Sequence, residues 1–335
     1  MTHRLLICDD SSMARKQMAR SLPGGIAADI LFATNGQEAL EILRRGEAEL
    51  MFLDLNMPGM DGYEVLAQVR REDLPVLTIV VSGDIQPEAR ERTRKLGAIE
   101  FIKKPIDTRH LEKILADYGL LAAAAEPADK AAGDKASGIA VTLEDYLQEI
   151  ANVAMGRSSD LLARLLSAFV QQPVPRVARI ANSELHMALS AADQQDTYSA
   201  VCQGFIGAGI AGEALLLFAD TSFREMAEML HYDITEGASV HVEVLMDMSS
   251  ILFGAFLKGI GDQLDLPLGL GHPTVLGQHR QIGEMLDHHS NRQEQLLCIE
   301  INYALEGRNI QCDMLVLLTE DSTPFLQKHM KYLVD

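Results

Sequence analysis

The order of apolar runs and acidic residues near the N-terminus most strongly limits what this chain can fold into. One apolar run ends at Asp9 and Asp10, and the next, Leu50–Leu53, ends at Asp54. Helical patterns separate such runs, and this alternation predicts βαβ units built on a parallel sheet. The carboxyl ends of adjacent parallel strands share one edge, so we expect the three carboxylates to meet there.

Two further apolar runs supply polar groups of a different kind. Val76–Val81 is followed by Ser82, and Ala98–Lys103 is followed by Lys104. A hydroxyl and an ammonium at strand ends are suited to holding the outer oxygens of a phosphoryl group. Clustered carboxylates repel one another unless a cation neutralises them, and oxygen ligands suit Mg²⁺. One acidic residue after a strand indicates a solvated turn, but three on two runs favour a site.

These residues carry a resemblance to a known family. Residues 1 to about 120 resemble the CheY-type receiver domain of two-component response regulators. The matching residues are Asp9, Asp10, Asp54, Ser82 and Lys104. The resemblance implies an α/β doubly wound fold with a five-stranded parallel sheet. It also implies that Asp54 accepts phosphate from a histidine kinase or a phosphotransfer protein.

The resemblance also assigns roles around the phosphoacceptor. Asp9, Asp10 and Asp54 would hold Mg²⁺, with the backbone carbonyl of Asn56 as a further ligand. The Ser82 hydroxyl and the Lys104 ammonium would bind the phosphoryl oxygens. Phe101, three positions before the lysine, would be the aromatic switch residue.

Composition limits the remaining functions. A chain of 335 residues predicts about two domains, and a formal net charge of −19 argues against nucleic-acid partners. The four cysteines are scattered without metal-binding spacing, which favours buried free thiols in a reducing compartment. We find no signal peptide and no apolar run near the roughly 20 residues of a membrane span. The expectation is a cytoplasmic protein without membrane partners.

A composition change marks a domain boundary. Residues 120–137 are rich in alanine and charge, and they lack the large apolar side chains that order a segment. We therefore predict a receiver at 1–121, a flexible linker at 122–140 and a second domain at 141–335.

The second domain contains an internal repeat at an offset of about 98 positions. Glu149 then aligns with Asp247, and Asn152 aligns with Ser250. Each copy continues with an apolar hairpin and a polar helix cap. The pattern predicts an α+β domain with a pseudo-twofold repeat, with copies at about 141–235 and 239–335.

The repeated unit resembles the CheC/CheX family of receiver phosphatases. The resemblance rests on Glu149-x-x-Asn152, the small residues after it and Pro175. It implies that Asn152 orients a water for attack on a phospho-aspartate, while Glu149 pairs with the receiver's lysine. Asp247 and Ser250 are shorter and lack an amide, so the second copy is expected to be a degenerate, inactive site.

Two hypotheses follow from different classes. In the first, the second domain dephosphorylates a phosphorylated receiver-domain protein, either another chain or its own receiver. That activity would terminate a two-component or chemotaxis-type signal. In the alternative, the second domain is a non-catalytic module that binds a partner when Asp54 is phosphorylated. Homodimer formation is left open.

Overall fold

The computed structural model describes residues 3–23, 26, 28–121, 139–181, 197–233, 238–280, 295–308 and 310–334. The predicted linker lies almost wholly outside these residues, so its flexibility stays a prediction. Contacts divide the chain into two compact units, Met1–Glu149 and Ile150–Asp335. The division falls inside one long helix, whose first two turns belong to the first unit.

The first unit contains a five-stranded parallel sheet in the order β2-β1-β3-β4-β5. Its strands are β1 (His3–Cys8), β2 (Ala28–Ala33), β3 (Leu50–Leu53), β4 (Leu77–Ser82) and β5 (Glu100–Lys103). Its helices are α1 (Ser12–Ser21), α2 (Gly36–Arg44), α3 (Gly62–Arg71), α4 (Pro87–Lys95), α5 (Thr108–Asp117) and the start of α6 (Leu143–Leu166). The predicted parallel receiver sheet is confirmed.

Two apolar clusters form the core of this unit. One includes Leu5, Ile7 and Phe52, and the other includes Leu6 and Met51. Successive residues of a strand point to opposite faces, so these alternating side chains form one core on each face of the sheet. The strands are buried on both sides, which explains why they read as continuous apolar runs.

The helix after β3 depends on a close backbone approach. α3 begins with a capping box, in which the Asp61 carboxylate accepts from the Glu64 amide and Glu64 accepts from the Asp61 amide. A Cβ at Gly62 would overlap the carbonyl oxygen of Asp54, so only glycine fits this contact. The N-terminus of α3 is thereby held against the segment that carries Asp54.

The second unit is built on an antiparallel sheet of eight strands. The main path is β10-β8-β9-β13-β12-β6, while β11 pairs with β8 and β7 pairs with β12. The strands are β6 (Val170–Gln171), β7 (Arg176–Ala181), β8 (Tyr198–Gly207), β9 (Ile210–Ala219), β10 (Gly269–Leu270), β11 (Thr274–Arg280), β12 (Gln295–Leu305) and β13 (Gln311–Leu318). The helices are the rest of α6, α7 (Phe223–Met229), α8 (Ala238–Gln263) and α9 (Ser322–Val334).

The two long helices pack closely within this unit. A Cβ at Gly259 of α8 would lie 2.9 Å from the Cα of Ala154 in α6, so the two backbones meet at this point. The Gln263 amide donates to the Ile150 carbonyl at 2.8 Å. Arg157 of α6 pairs with Asp262 of α8 at 2.5 Å.

One expectation from hydropathy is wrong. Val240–Gln263 is a 24-residue segment whose most apolar window has a mean hydropathy of 1.5, long and apolar enough to cross a membrane. Half of its most apolar window is buried, with Met248, Phe253 and Phe256 in the core. The buried side packs against α6, while polar residues such as Glu243, Asp247 and Lys258 are exposed on the other side. A single core helix of this kind is weak evidence for membrane insertion.

Candidate functional site

Backbone hydrogen bonds bring the predicted site residues to one edge of the parallel sheet. The Asp54 amide donates to the Cys8 carbonyl at 2.9 Å, and Asp9 follows directly in the chain. The Lys104 amide donates to the Ser82 carbonyl at 2.8 Å. Four of the predicted residues therefore lie at the carboxyl edge of neighbouring strands, where the sequence placed them.

Three carboxylates converge at this edge. Asp9, Asp10 and Asp54 each offer an oxygen within 4.8 Å of the others. Asp54 Oδ2 accepts from the Asn56 amide at 2.9 Å, which orients the carboxylate. Asp54 Oδ1 is buried, and Lys104 Nζ lies 3.2 Å away without a well-directed hydrogen bond to it. A buried carboxylate oxygen without a directed hydrogen bond is available as a metal ligand. Together with the other two carboxylates, it fits a hard divalent cation such as Mg²⁺.

One buried ammonium faces these acids. Lys104 Nζ lies 2.7 Å from Asp9 Oδ2 and 3.2 Å from Asp54 Oδ1. Burial disfavours the ammonium, but Asp54, Asp9 and Glu149 together raise the pKa of Lys104 well above its usual value. The lysine therefore carries a fixed positive charge beside the predicted phosphoacceptor.

Negative charge exceeds positive charge at the site. Burial raises the pKa of Asp54 well above its usual value, against the opposing effect of Lys104. Burial and the neighbouring Asp9 raise the pKa of Asp10 to about 7. Burial is the largest cause of both shifts and the neighbouring carboxylates add to it, so a bound cation would favour the ionised forms.

The first two turns of α6 contribute three more side chains to the same edge of the first unit. Glu149 Oε1 lies 3.2 Å from Lys104 Nζ, and the Glu149 side chain is buried. Gln148 Nε2 donates to Asp10 Oδ2 at 3.0 Å. The Ser12 hydroxyl donates to Asp145 Oδ2 at 2.8 Å. Residues 145, 148 and 149 lie on one side of the helix, so all three contacts are made at once.

A capping box fixes where this helix starts. Asp145 donates its amide to Thr142 Oγ1 at 3.0 Å, and the Thr142 amide donates to Asp145 Oδ2 at 3.1 Å. This exchange satisfies two donors at the helix N-terminus. Asp145 is thus held in the position from which it also accepts from Ser12.

The remaining predicted residues are placed as follows. Ser82 is fully buried at the end of β4, and its hydroxyl accepts from the Asp84 amide at 3.1 Å. Phe101 is half-buried and packs against the core cluster that contains Met51. Asn152 is buried one helical turn after Glu149.

The second predicted pair lies in a different setting. Asp247 and Ser250 are exposed on α8, and the Tyr232 hydroxyl donates to Asp247 Oδ2 at 2.7 Å. The first pair is buried, whereas this one faces solvent. The inactivity of the second copy stays a prediction.

Sequence reasoning missed three contributors to the site. Arg15 donates to the carbonyls of Asp9 at 2.6 Å and Asp10 at 3.0 Å, which holds the acidic turn. Asp145 and Gln148 are the others. The Thr-x-x-Asp capping signature at 142–145 was visible in the sequence. The contact of Asp145 with Ser12 was not, because the two residues are 133 positions apart.

Comparisons with known proteins agree with this geometry for the N-terminal part. A family model described as the response regulator receiver domain matches residues 5–116. A probable transcriptional regulator, ycf27 of Porphyridium aerugineum, is 34% identical over 110 residues, which cover 32% of this chain and 45% of that protein. Response regulator MprA of Mycobacterium leprae is 31% identical over 174 residues, which cover 49% of this chain and 72% of that protein.

One solved structure covers a larger share of this chain than the receiver comparisons do. FliY of Thermotoga maritima is 14% identical, covers 57% of this chain and 96% of its own, and has a TM-score of 0.44. At that score the likeness carries no argument. The match covers 45% of the first curated relative, so the chain spans less than half of that protein's length.

The parallel sheet, the acidic edge and the facing lysine define a receiver domain. The chain belongs to the response regulators of two-component systems, and its receiver domain lies within residues 5–116.

Proposed function

We propose that this response regulator is phosphorylated on Asp54 and that its C-terminal part is an aspartyl-phosphate phosphatase for receiver domains. The observation that carries the proposal is the ion pair between Glu149 and Lys104 at 3.2 Å. It joins the predicted phosphatase helix to the lysine that faces the phosphoacceptor. Asn152 follows one turn later on the same side of the helix.

Phosphorylation of Asp54 uses groups that are already positioned. An Asp54 oxygen attacks the phosphorus of a phosphohistidine in a kinase or phosphotransfer protein, and the phosphorus–nitrogen bond breaks with its electrons going to the imidazole. Lys104 and Ser82 stabilise the charge on the transferred oxygens. Mg²⁺, held by Asp9, Asp10 and Asp54 with the Asn56 carbonyl, would supply further charge neutralisation.

Dephosphorylation is assigned to Asn152 and Glu149 of α6. The Asn152 amide orients a water in line with the phosphorus, and the water oxygen attacks as the bond to Asp54 breaks. The products are the Asp54 carboxylate and dihydrogen phosphate, which loses a proton to solvent near neutral pH. Glu149 pairs with Lys104 and sets the position of the helix. Positioning one water accounts for a hundredfold acceleration, which is about 2.7 kcal/mol.

The arrangement of the second unit supports a pair of equivalent copies. Each half runs helix, short strand, strand, two long strands and helix. The outer strands are exchanged between halves, because β10 and β11 pair with β8 while β6 and β7 pair with β12. We propose that this is the pseudo-twofold repeat of a CheC-like domain. A cytoplasmic location belongs to the same proposal.

The test is phosphate release from two substrates. Full-length chain is supplied with acetyl phosphate and Mg²⁺, and a separate phosphorylated CheY-type receiver is tested in trans. Asn152→Ala should abolish the accelerated release, while Asn302→Ala, the same change at an exposed strand position, should leave it intact. Full activity in Asn152→Ala would refute the phosphatase. Phosphorylation-dependent partner binding without release would favour the non-catalytic module.

A second candidate is transcriptional output. Its support is the naming of relatives such as ycf27 as transcriptional regulators. The formal net charge of −19 weighs against it, because phosphates require clustered Lys and Arg. The names of the relatives do not support the expected absence of nucleic-acid partners, whereas the net charge does. Salt-dependent retardation of duplex DNA by the phosphorylated chain would favour this candidate.

A further inference from the structure

Three contacts hold the start of α6 on the phosphoacceptor edge of the first unit. Glu149 meets Lys104, Gln148 meets Asp10, and Asp145 meets Ser12. Two of these receiver groups belong to the predicted metal and phosphoryl sites. The third, Ser12, opens α1 and has no assigned role in the chemistry.

A small cavity at this edge is lined by Asp54, Lys104 and Glu149 and by core side chains such as Met18 and Phe52. The cavity bounded by Asp54, Lys104 and Glu149 has a volume of about 20 Å³. That volume holds about one water molecule. A phosphoryl group on Asp54 would share Lys104 with the Glu149 carboxylate, which lies 3.2 Å from the same Nζ. Both groups are anionic and compete for the same ammonium.

We propose that α6 recognises the receiver of its own chain through Ser12 and Asp10, and that it closes the phosphoacceptor pocket until it is displaced. Gln148 and Asp145 are the specificity-determining residues of this contact. Gln148 reads the Asp10 carboxylate, and Asp145 reads the Ser12 hydroxyl. The inference rests on the proposed function, because it identifies the receiver of the same chain as the first substrate of the phosphatase helix.

The contact has a direct consequence for the order of events. Glu149 must shift on Lys104 before that ammonium can hold the oxygens of an incoming phosphoryl group. After phosphorylation, α6 binds the receiver edge again in a position that leaves room for the phosphoryl group. In that position Asn152 orients the water. A receiver that lacks a hydroxyl at the Ser12 position loses one of the three contacts.

The experiment measures how fast acetyl phosphate phosphorylates full-length chain at saturating Mg²⁺. All proteins carry Asn152→Ala, so hydrolysis does not obscure the rate. Losing a hydrogen bond to a carboxylate should raise the rate about three- to tenfold in Gln148→Ala and in Ser12→Ala. Gln37→Ala, the same change at an exposed position of α2, should leave the rate unchanged.

A second readout does not depend on phosphorylation. Hydrogen exchange at the amides of residues 143–149 is measured in the metal-free full-length chain. Gln148→Ala should speed exchange there, and Gln37→Ala should not. Unchanged phosphorylation rates and unchanged exchange in both contact variants would overturn the proposal. Neither readout measures phosphate hydrolysis, so the phosphatase proposal can fail independently of this one. It fails if the Asn152→Ala chain loses phosphate as fast as the unaltered chain.

Discussion

Mg²⁺ binding to this chain should weaken sharply as the pH falls from 8 to 6. The pKa of Asp10 is raised to about 7 by burial and by Asp9, and a metal ligand must be deprotonated. The ionised fraction of a group with that pKa falls from about nine-tenths at pH 8 to about one-tenth at pH 6. Apparent affinity should therefore drop about tenfold, or about 1.4 kcal/mol.

The same pKa fixes the sign of the effect on metal-free stability. The folded chain binds the Asp10 proton more tightly than the unfolded chain, whose carboxyl titrates near its usual 3.8. The contribution of this group to stability is therefore present at low pH and is lost as the pH rises from about 4 towards 7. Added Mg²⁺ should offset that loss at pH 8.

Isothermal titration calorimetry at both pH values measures the affinity, and buffers of different ionisation enthalpy report the protons released. About half a proton should leave per Mg²⁺ at pH 7. Asp10→Asn removes the titrating group, so it should bind more weakly and show a flatter pH dependence. Equal affinity of the unaltered chain at pH 8 and pH 6 would refute the assignment of Asp10 as a ligand with a raised pKa.

Three other substitutions test the fold around the two predicted sites. Gly62→Ala should destabilise the first unit by about 1–3 kcal/mol in chemical denaturation, because a Cβ overlaps the Asp54 carbonyl. Tyr303→Phe should cost about 1 kcal/mol, since it removes a buried 2.7 Å hydrogen bond with Ser158. Asp247→Ala should change stability by less than about 0.5 kcal/mol and leave phosphate release unchanged, because its side chain is exposed.

The receiver site was largely predictable because its residues follow strands. Once the apolar runs are recognised as adjacent parallel strands, the positions of Asp9 and Asp54 at one edge follow from sheet geometry. Ser82 and Lys104 follow for the same reason. The buried runs carry this information locally, so no long-range knowledge is needed.

The contacts of α6 were not predictable in the same way. Asp145 and Ser12 lie 133 positions apart, and nothing in either local sequence specifies the other. The apolar length of Val240–Gln263 was also misjudged, because polar residues interrupt the run while its most apolar window keeps a mean hydropathy of 1.5. A periodic pattern of apolar residues identifies a helix that buries one face. When a helix is apolar on several sides, only its tertiary packing shows that it belongs to a protein core.

The most direct test of the account is the lifetime of the Asp54 phosphate in the full-length chain. The unaltered protein and Asn152→Ala are phosphorylated with acetyl phosphate and freed of donor, and the remaining acyl phosphate is followed with time. The account predicts a lifetime about a hundredfold longer in Asn152→Ala, which corresponds to about 2.7 kcal/mol. Equal lifetimes in the two proteins would contradict it.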